Sequence, residues 1–163
     1  MSEATARLAQ AAPAAMDDRG CCVGFTLAEI RANRRLPPFL DGNINLDRLR
    51  GDFDVGELGA FLVVDGISNC AGSPDAREQI LGCTNRGQLP AVVASGAMGV
   101  VWAHEFGHAQ GLPGRFPLDP ECLGNAPLPL MTERGCPRLE DRAHIVTQNE
   151  CASFRSLRPL AEN

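Results

Sequence analysis

The strongest helical period in this 163-residue sequence runs through Met98, Val101, Trp102, Phe106 and Ala109. These apolar positions lie three or four residues apart and so share one side of an α-helix. Ser95 stands where an N-cap would, and Gly111 followed by Pro113 closes the run in the order that helix C-termini favour. A helix of about three turns is not stable alone in water, so its apolar side has to pack against something. The residues just before it supply a small sheet. Ala60-Phe61-Leu62-Val63-Val64, followed by Asp65-Gly66, reads as a central strand covered on both faces. Pro90 to Ala94 reads as a second strand, expected at an edge because proline cannot donate to a ladder.

The other segments are less periodic. Ser2 to Ala12 is an alanine-rich helix candidate ended by Pro13. From Cys21 to Ile30, Val23, Phe25 and Leu27 alternate with small or polar residues, which predicts a half-buried strand. Arg31 to Gly59 is rich in turn formers and reads as an irregular connection with one short helical turn around Leu46 to Leu49. Beyond Gly114 the period is lost until Thr147-Gln148-Asn149-Glu150, a capping box with Val146 and Cys151 placed as its hydrophobic staple. It predicts a C-terminal helix from Gln148 to about Leu157. With no internal repeat and no linker, residues 1–163 read as one domain of the α+β class, a small mixed sheet with helices before and behind it.

Twenty acidic side chains against fifteen basic ones give a net charge of -5, which argues against a nucleic-acid binder. The longest apolar run, Ala60 to Val64, is far short of the roughly 18 residues of a membrane span. Met1 to Thr5 carries neither a positive nor an apolar region, so no signal peptide is expected in the sequence as it stands. The seven cysteines pull the other way, toward an oxidising, extracytoplasmic compartment. Cys70 and Cys83 bracket a polar loop, and a bridge closing it would contribute on the order of 3 kcal/mol. An odd number of cysteines leaves at least one unpaired within a monomer or bonded elsewhere.

Chemistry concentrates in the helix. His104-Glu105-Phe106-Gly107-His108 has the form His-Glu-x-x-His, and two of the three histidines in the sequence lie in it. A spacing of four is about one helical turn, so both imidazoles project from one face and can share an ion at the ~2.0–2.1 Å of zinc–nitrogen bonding. Glu105 sits on the same rim. There it can take a proton from a water that the metal acidifies and pass it to a leaving amine.

The longer run His104-Glu105-Phe106-Gly107-His108-Ala109-Gln110-Gly111-Leu112 resembles the metzincin zinc metalloproteases, whose signature is His-Glu-x-x-His-x-x-Gly-x-x-His/Asp with a Met-turn downstream. Gly111 fills the glycine position, where a left-handed residue would turn the chain under the metal. Leu130-Met131-Thr132 is similar to the Met-turn, placing Met131 in the floor beneath the ion. The resemblance implies a zincin-like α+β fold with an active-site helix and a C-terminal helix, Zn2+ as cofactor, a peptide or protein as substrate and secretion from the cytoplasm. It covers about residues 60 to 157.

The sequence departs from the family where the third ligand should stand: position 114 is glycine. Asp119 is the first substitute, since it follows Gly111 closely and is a ligand type the family accepts. Glu121, Cys122 and His144 are the others, with Cys122 also a candidate for a disulfide to Cys136 or Cys151. A second departure is at the front, where a strand would precede the first long helix in the family, so an N-terminal strand is expected to be missing. The sequence has no tyrosine, which excludes a Met-turn tyrosine, and Arg115 is the nearby candidate for electrostatic assistance. Two readings follow. One is a zinc peptidase with His104 and His108 as ligands, Glu105 as general base and an extended substrate along the strand near Val92 and Val93. The other is a silent protein that keeps the shape for binding after losing its third ligand. A route using His144 in the gluzincin manner is a further variant.

Overall fold

The computed structural model describes residues 39–40, 61–70, 80–116, 118–133, 136 and 138–155. The expected helix at 2–12, strand at 21–30 and helical turn at 46–49 lie outside them. Among the described residues the chain is a small mixed α+β protein. Its elements are β1 (Phe39–Leu40), β2 (Phe61–Val64), β3 (Gly66–Ile67), β4 (Gly82–Cys83), β5 (Ala91–Ala94), α1 (Gly99–Ala109), α2 (Asp119–Leu123), β6 (Leu128–Pro129), α3 (Leu139–Arg142), β7 (Ala143–Ile145) and α4 (Gln148–Arg155).

The main sheet has the order β2-β5-β4. β5 runs parallel to β2, with Leu62 opposite Val92, and antiparallel to β4, with Gly82 opposite Val93. The expected positions of two strands are therefore exchanged. The Pro90 to Ala94 strand is central, with Ala91, Val92, Val93 and Ala94 all buried, while β2 has one described neighbour and leaves Val63 47% exposed. Pro90 precedes the first residue of β5, so the N–H it lacks costs the ladder nothing. Two-residue pairs β1·β3 and β6·β7, both parallel, complete the strands.

Alternation sorts β2 and β5 onto two faces. Leu62, Val64 and Val92 pack with Ile67, Ile80 and Cys83 on one face. On the other, Val93 meets Ala97 and Trp102 of the helix side, and the Phe61 ring lies 5.1 Å from Trp102. The helix starts later than expected. Ser95 N–H is already committed to the Val64 carbonyl at 2.7 Å, which extends the sheet, and Met98 becomes the N-cap without a side-chain cap bond. Its C-terminus follows the sequence. Gly111 takes φ +90, its N–H bonds the His108 carbonyl at 2.8 Å, and Leu112 N–H bonds that of Gly107 at 3.0 Å. This is a Schellman closure, which needs a left-handed residue at that glycine.

The side of α1 away from the sheet forms the larger core. Val100, Ala103 and Leu112 pack there with Leu128, Leu130, Met131, Val146, Cys151 and Phe154. α4 begins on the expected capping box, with Thr147 N–H donating to Glu150 Oε2 at 2.7 Å and Glu150 N–H to Thr147 Oγ1 at 3.4 Å. Both staple residues, Val146 and Cys151, are buried. Cys70 bonds Cys83 as expected, and Cys122 bonds Cys136. Cys151 is disulfide-bonded too. The buried Arg142 guanidinium donates to the carbonyls of Glu121, Cys122 and Ala126, tying the α2 segment to α3. Among the described residues no helix is long and apolar enough to cross a membrane.

Candidate metal centre

His104 and His108 sit one turn apart on α1, with ring centroids 4.7 Å apart. The second helical face carries Gly107, which is what lets the floor approach. A Cβ built on Gly107 would stand 3.0 Å from Met131 Cε and closer still to its sulfur. Met131 is fully buried there, in a tight turn in which Thr132 N–H returns to the Pro129 carbonyl at 3.0 Å.

That turn and the Schellman closure each orient one imidazole. His104 Nδ1 lies 2.8 Å from the Leu130 carbonyl and His108 Nδ1 3.0 Å from that of Leu112. A carbonyl can only accept, so both Nδ1 atoms carry the proton and donate, and both Nε2 atoms present bare lone pairs. Those two Nε2 atoms are 3.0 Å apart. Glu133 Oε1 lies 3.2 Å from His108 Nε2 and 4.0 Å from His104 Nε2. Three acceptor atoms thus converge on one point, an arrangement that needs a cation or a proton between them. Four donors at ~2.0–2.1 Å from a tetrahedral zinc are about 3.3 Å from one another, close to the separations here. His104, His108 and Glu133 form a group that could hold a metal ion, with the carbonyl-anchored imidazoles that metal sites favour.

The charge balance differs between the two rings. Burial and the neighbouring His108 hold the His104 pKa below its ordinary value, against the opposing pull of the Leu130 carbonyl and Glu133. Burial also works against a charged His108, but the Glu133 carboxylate bonded to it and the nearby Glu105 charge outweigh that, and its pKa is raised. The Glu133 carboxylate that favours positive charge on His108 would favour a cation at the same point. Glu105 is buried, with its carboxyl group against the backbone of β4. A Cβ built on Gly82 would be 2.6 Å from Glu105 Cδ.

The sequence reading places His104, Glu105, His108, Gly111 and Met131 around this point, but it misses Glu133. Asp119, its first choice for the third ligand, opens α2, and its side chain lies outside those described. Glu121 is exposed on the same helix. Cys122 is withdrawn by its disulfide to Cys136, the more ordinary of its two expected roles. His144 lies in β7, and its side chain too is outside those described. Val92 and Val93 lie on the central strand, paired on both sides, which removes them as a free edge for an extended substrate. The signal for Glu133 was its place two residues after the candidate Met-turn methionine, in a chain with no side chain at 114. No known protein family, curated protein or solved structure matches this chain.

Proposed function

We propose that this protein is a metal-dependent peptide hydrolase, with Zn2+ as the cofactor that its donor set suits best. The observation that carries the reading is the convergence of His104 Nε2, His108 Nε2 and a carboxylate oxygen, with Glu105 buried on the same helix. Two imidazoles and one carboxylate are a zinc-type set, and three protein ligands leave the fourth position open. A bound divalent ion would supply Lewis acidity, polarising a scissile carbonyl and acidifying a water. The chain's own residues do the rest. His104 and His108 hold their ring orientation through the Leu130 and Leu112 carbonyls. Glu105 receives the proton of the attacking water at its carboxylate and delivers it to the departing amine. Met131 closes the floor against solvent.

The resemblance of His104 to Leu112, with Met131 downstream, to the metzincin signature supports a peptide as the substrate class. Among the described strands β4 lies at one edge of the main sheet, beside the Glu105 carboxylate, so an extended substrate would add there through backbone hydrogen bonds. The Cys70–Cys83 and Cys122–Cys136 bridges fit an extracytoplasmic protein.

The test is Glu105→Gln in the zinc-loaded protein, assayed on an unstructured protein substrate. The substitution should lower turnover by roughly 10²–10⁴-fold while leaving one zinc per chain. Turnover equal to wild type would remove Glu105 from the mechanism. A wild-type protein that holds zinc and cleaves nothing would favour a binding role instead.

A further inference from the structure

We propose that Glu133 is the third protein ligand of a divalent-cation site and that Gly114 is the vacancy that admits it. Ligand duty then sits after the buried methionine instead of on the turn after the helix, and positions 114 and 133 exclude each other. The proposal rests on the metal centre of the preceding reading but not on peptide as substrate.

Three observations carry it. The first is volume: a Cβ built on Gly114 would lie 2.4–2.5 Å from Glu133 Cγ and Cδ and closer still to Oε1. The same oxygen is the one that lies 3.2 Å from His108 Nε2. The space that a side chain at 114 would fill is therefore the space through which the carboxylate reaches the histidines.

The second is the backbone. Gly114 is not among the glycines with positive φ, which among the described residues are Gly87 and Gly111, so the chain path does not require glycine at 114. Its small size matters for the room it leaves.

The third is register. Arg115 and Thr132 form a parallel bridge; Arg115 N–H donates to the Met131 carbonyl at 2.7 Å and Glu133 N–H to the Arg115 carbonyl at 2.8 Å. These bonds fix Glu133 beside Gly114, and the Cys122–Cys136 disulfide ties the two segments together further along. The backbone that carries the carboxylate is thus held by a β-bridge and a covalent link, which lowers the entropy cost of ordering a ligand there. Two neutral imidazoles and one carboxylate suit a borderline divalent ion such as Zn2+ or Co2+.

The experiment is equilibrium dialysis against Zn2+, with the visible spectrum of the Co2+-loaded protein as a second readout of coordination and circular dichroism confirming that each variant is folded. Glu133→Gln should weaken Zn2+ binding by about 100-fold or more, since even partners one step removed from a metal are worth 10–100-fold, and should change the Co2+ spectrum. Gly114→Ala should weaken it comparably by displacing the carboxylate. Gly114→Asp combined with Glu133→Ala should recover at least tenfold over Glu133→Ala alone. Wild-type affinity and an unchanged Co2+ spectrum in Glu133→Gln would overturn the ligand assignment. Wild-type affinity in Gly114→Ala, or no recovery in the double variant, would overturn the exchange between the two positions. Because hydrolysis is not the readout, a protein that binds Zn2+ through Glu133 and cleaves no peptide would support this inference while refuting the preceding reading.

Discussion

The contact between Gly107 and Met131 gives a sharp test of the packing, because two known effects oppose each other there. Alanine is favoured over glycine in a helix interior by about 1 kcal/mol, so Gly107→Ala in α1 would ordinarily stabilise. Here the added methyl would stand 3.0 Å from Met131 Cε, nearer still to its sulfur, and 3.3 Å from Phe154 Cζ, where apolar atoms prefer about 3.5–4.0 Å. Met131 is fully buried and has no solvent to move into, so overpacking of about 1–3 kcal/mol is expected. The net effect of Gly107→Ala therefore lies between no change and a loss of about 2 kcal/mol. Met131→Ala should cost about 2–5 kcal/mol by opening a cavity. It also removes the obstacle, so Gly107→Ala in that background should turn neutral or stabilising. A double-mutant cycle by urea denaturation would then show a favourable coupling of about 1–3 kcal/mol. Additive effects, or stabilisation of the otherwise wild-type protein by Gly107→Ala, would refute the close approach of the methionine to the helix.

Gly111→Ala forces a side chain into φ +90 and should cost about 1–2 kcal/mol in urea unfolding, with weaker Zn2+ binding because the Leu112 carbonyl that orients His108 moves with the turn; a loss below about 0.3 kcal/mol would contradict the closure. Thr147→Ala removes the hydroxyl of the capping box and, since that bond is long at 3.4 Å, should fall near the lower end of the roughly 0.5–2 kcal/mol range for such caps. Chelation of the metal should lower the melting temperature, because ligand at 100 times Kd stabilises the folded state by about 2.7 kcal/mol. An identical melting temperature with and without Zn2+ would mean that the folded protein does not hold the ion.

What the sequence conveyed well was local. α1 is legible because its apolar side must repeat every three or four residues, and Gly111 because a left-handed residue closes the helix most cheaply as glycine. The α4 capping box is two side chains satisfying two backbone donors within four residues, so no distant part of the chain is needed to read it. The start of α1 escaped because the backbone at Ser95 still continues the sheet, its N–H donating to the Val64 carbonyl, and the helix begins only after Met98. Strand order escaped for a related reason. FLVV and AVVA are both continuous apolar runs, and which one lies in the middle depends on what each meets across the sheet, not on its own letters.

The candidate site divides along the same line. The sequence by itself determined that two imidazoles share one face of a helix, since a spacing of four is close to its period of 3.6, with a glutamate on the residue next to the first of them. It also determined that Gly111 turns the chain and that position 114 offers no donor. Only the tertiary structure decided which further side chain stands beside the two imidazoles, within reach of an ion they could share. Glu133 lies nineteen residues beyond Gly114, and nothing in either segment alone requires them to meet. They meet because Arg115 and Thr132 pair, a contact that depends on the closed helix end, on Met131 packing under Gly107 and on the Cys122–Cys136 bridge acting together. Periodicity is a property of a few neighbouring residues, but the position of an acceptor atom in space is a property of the packed whole.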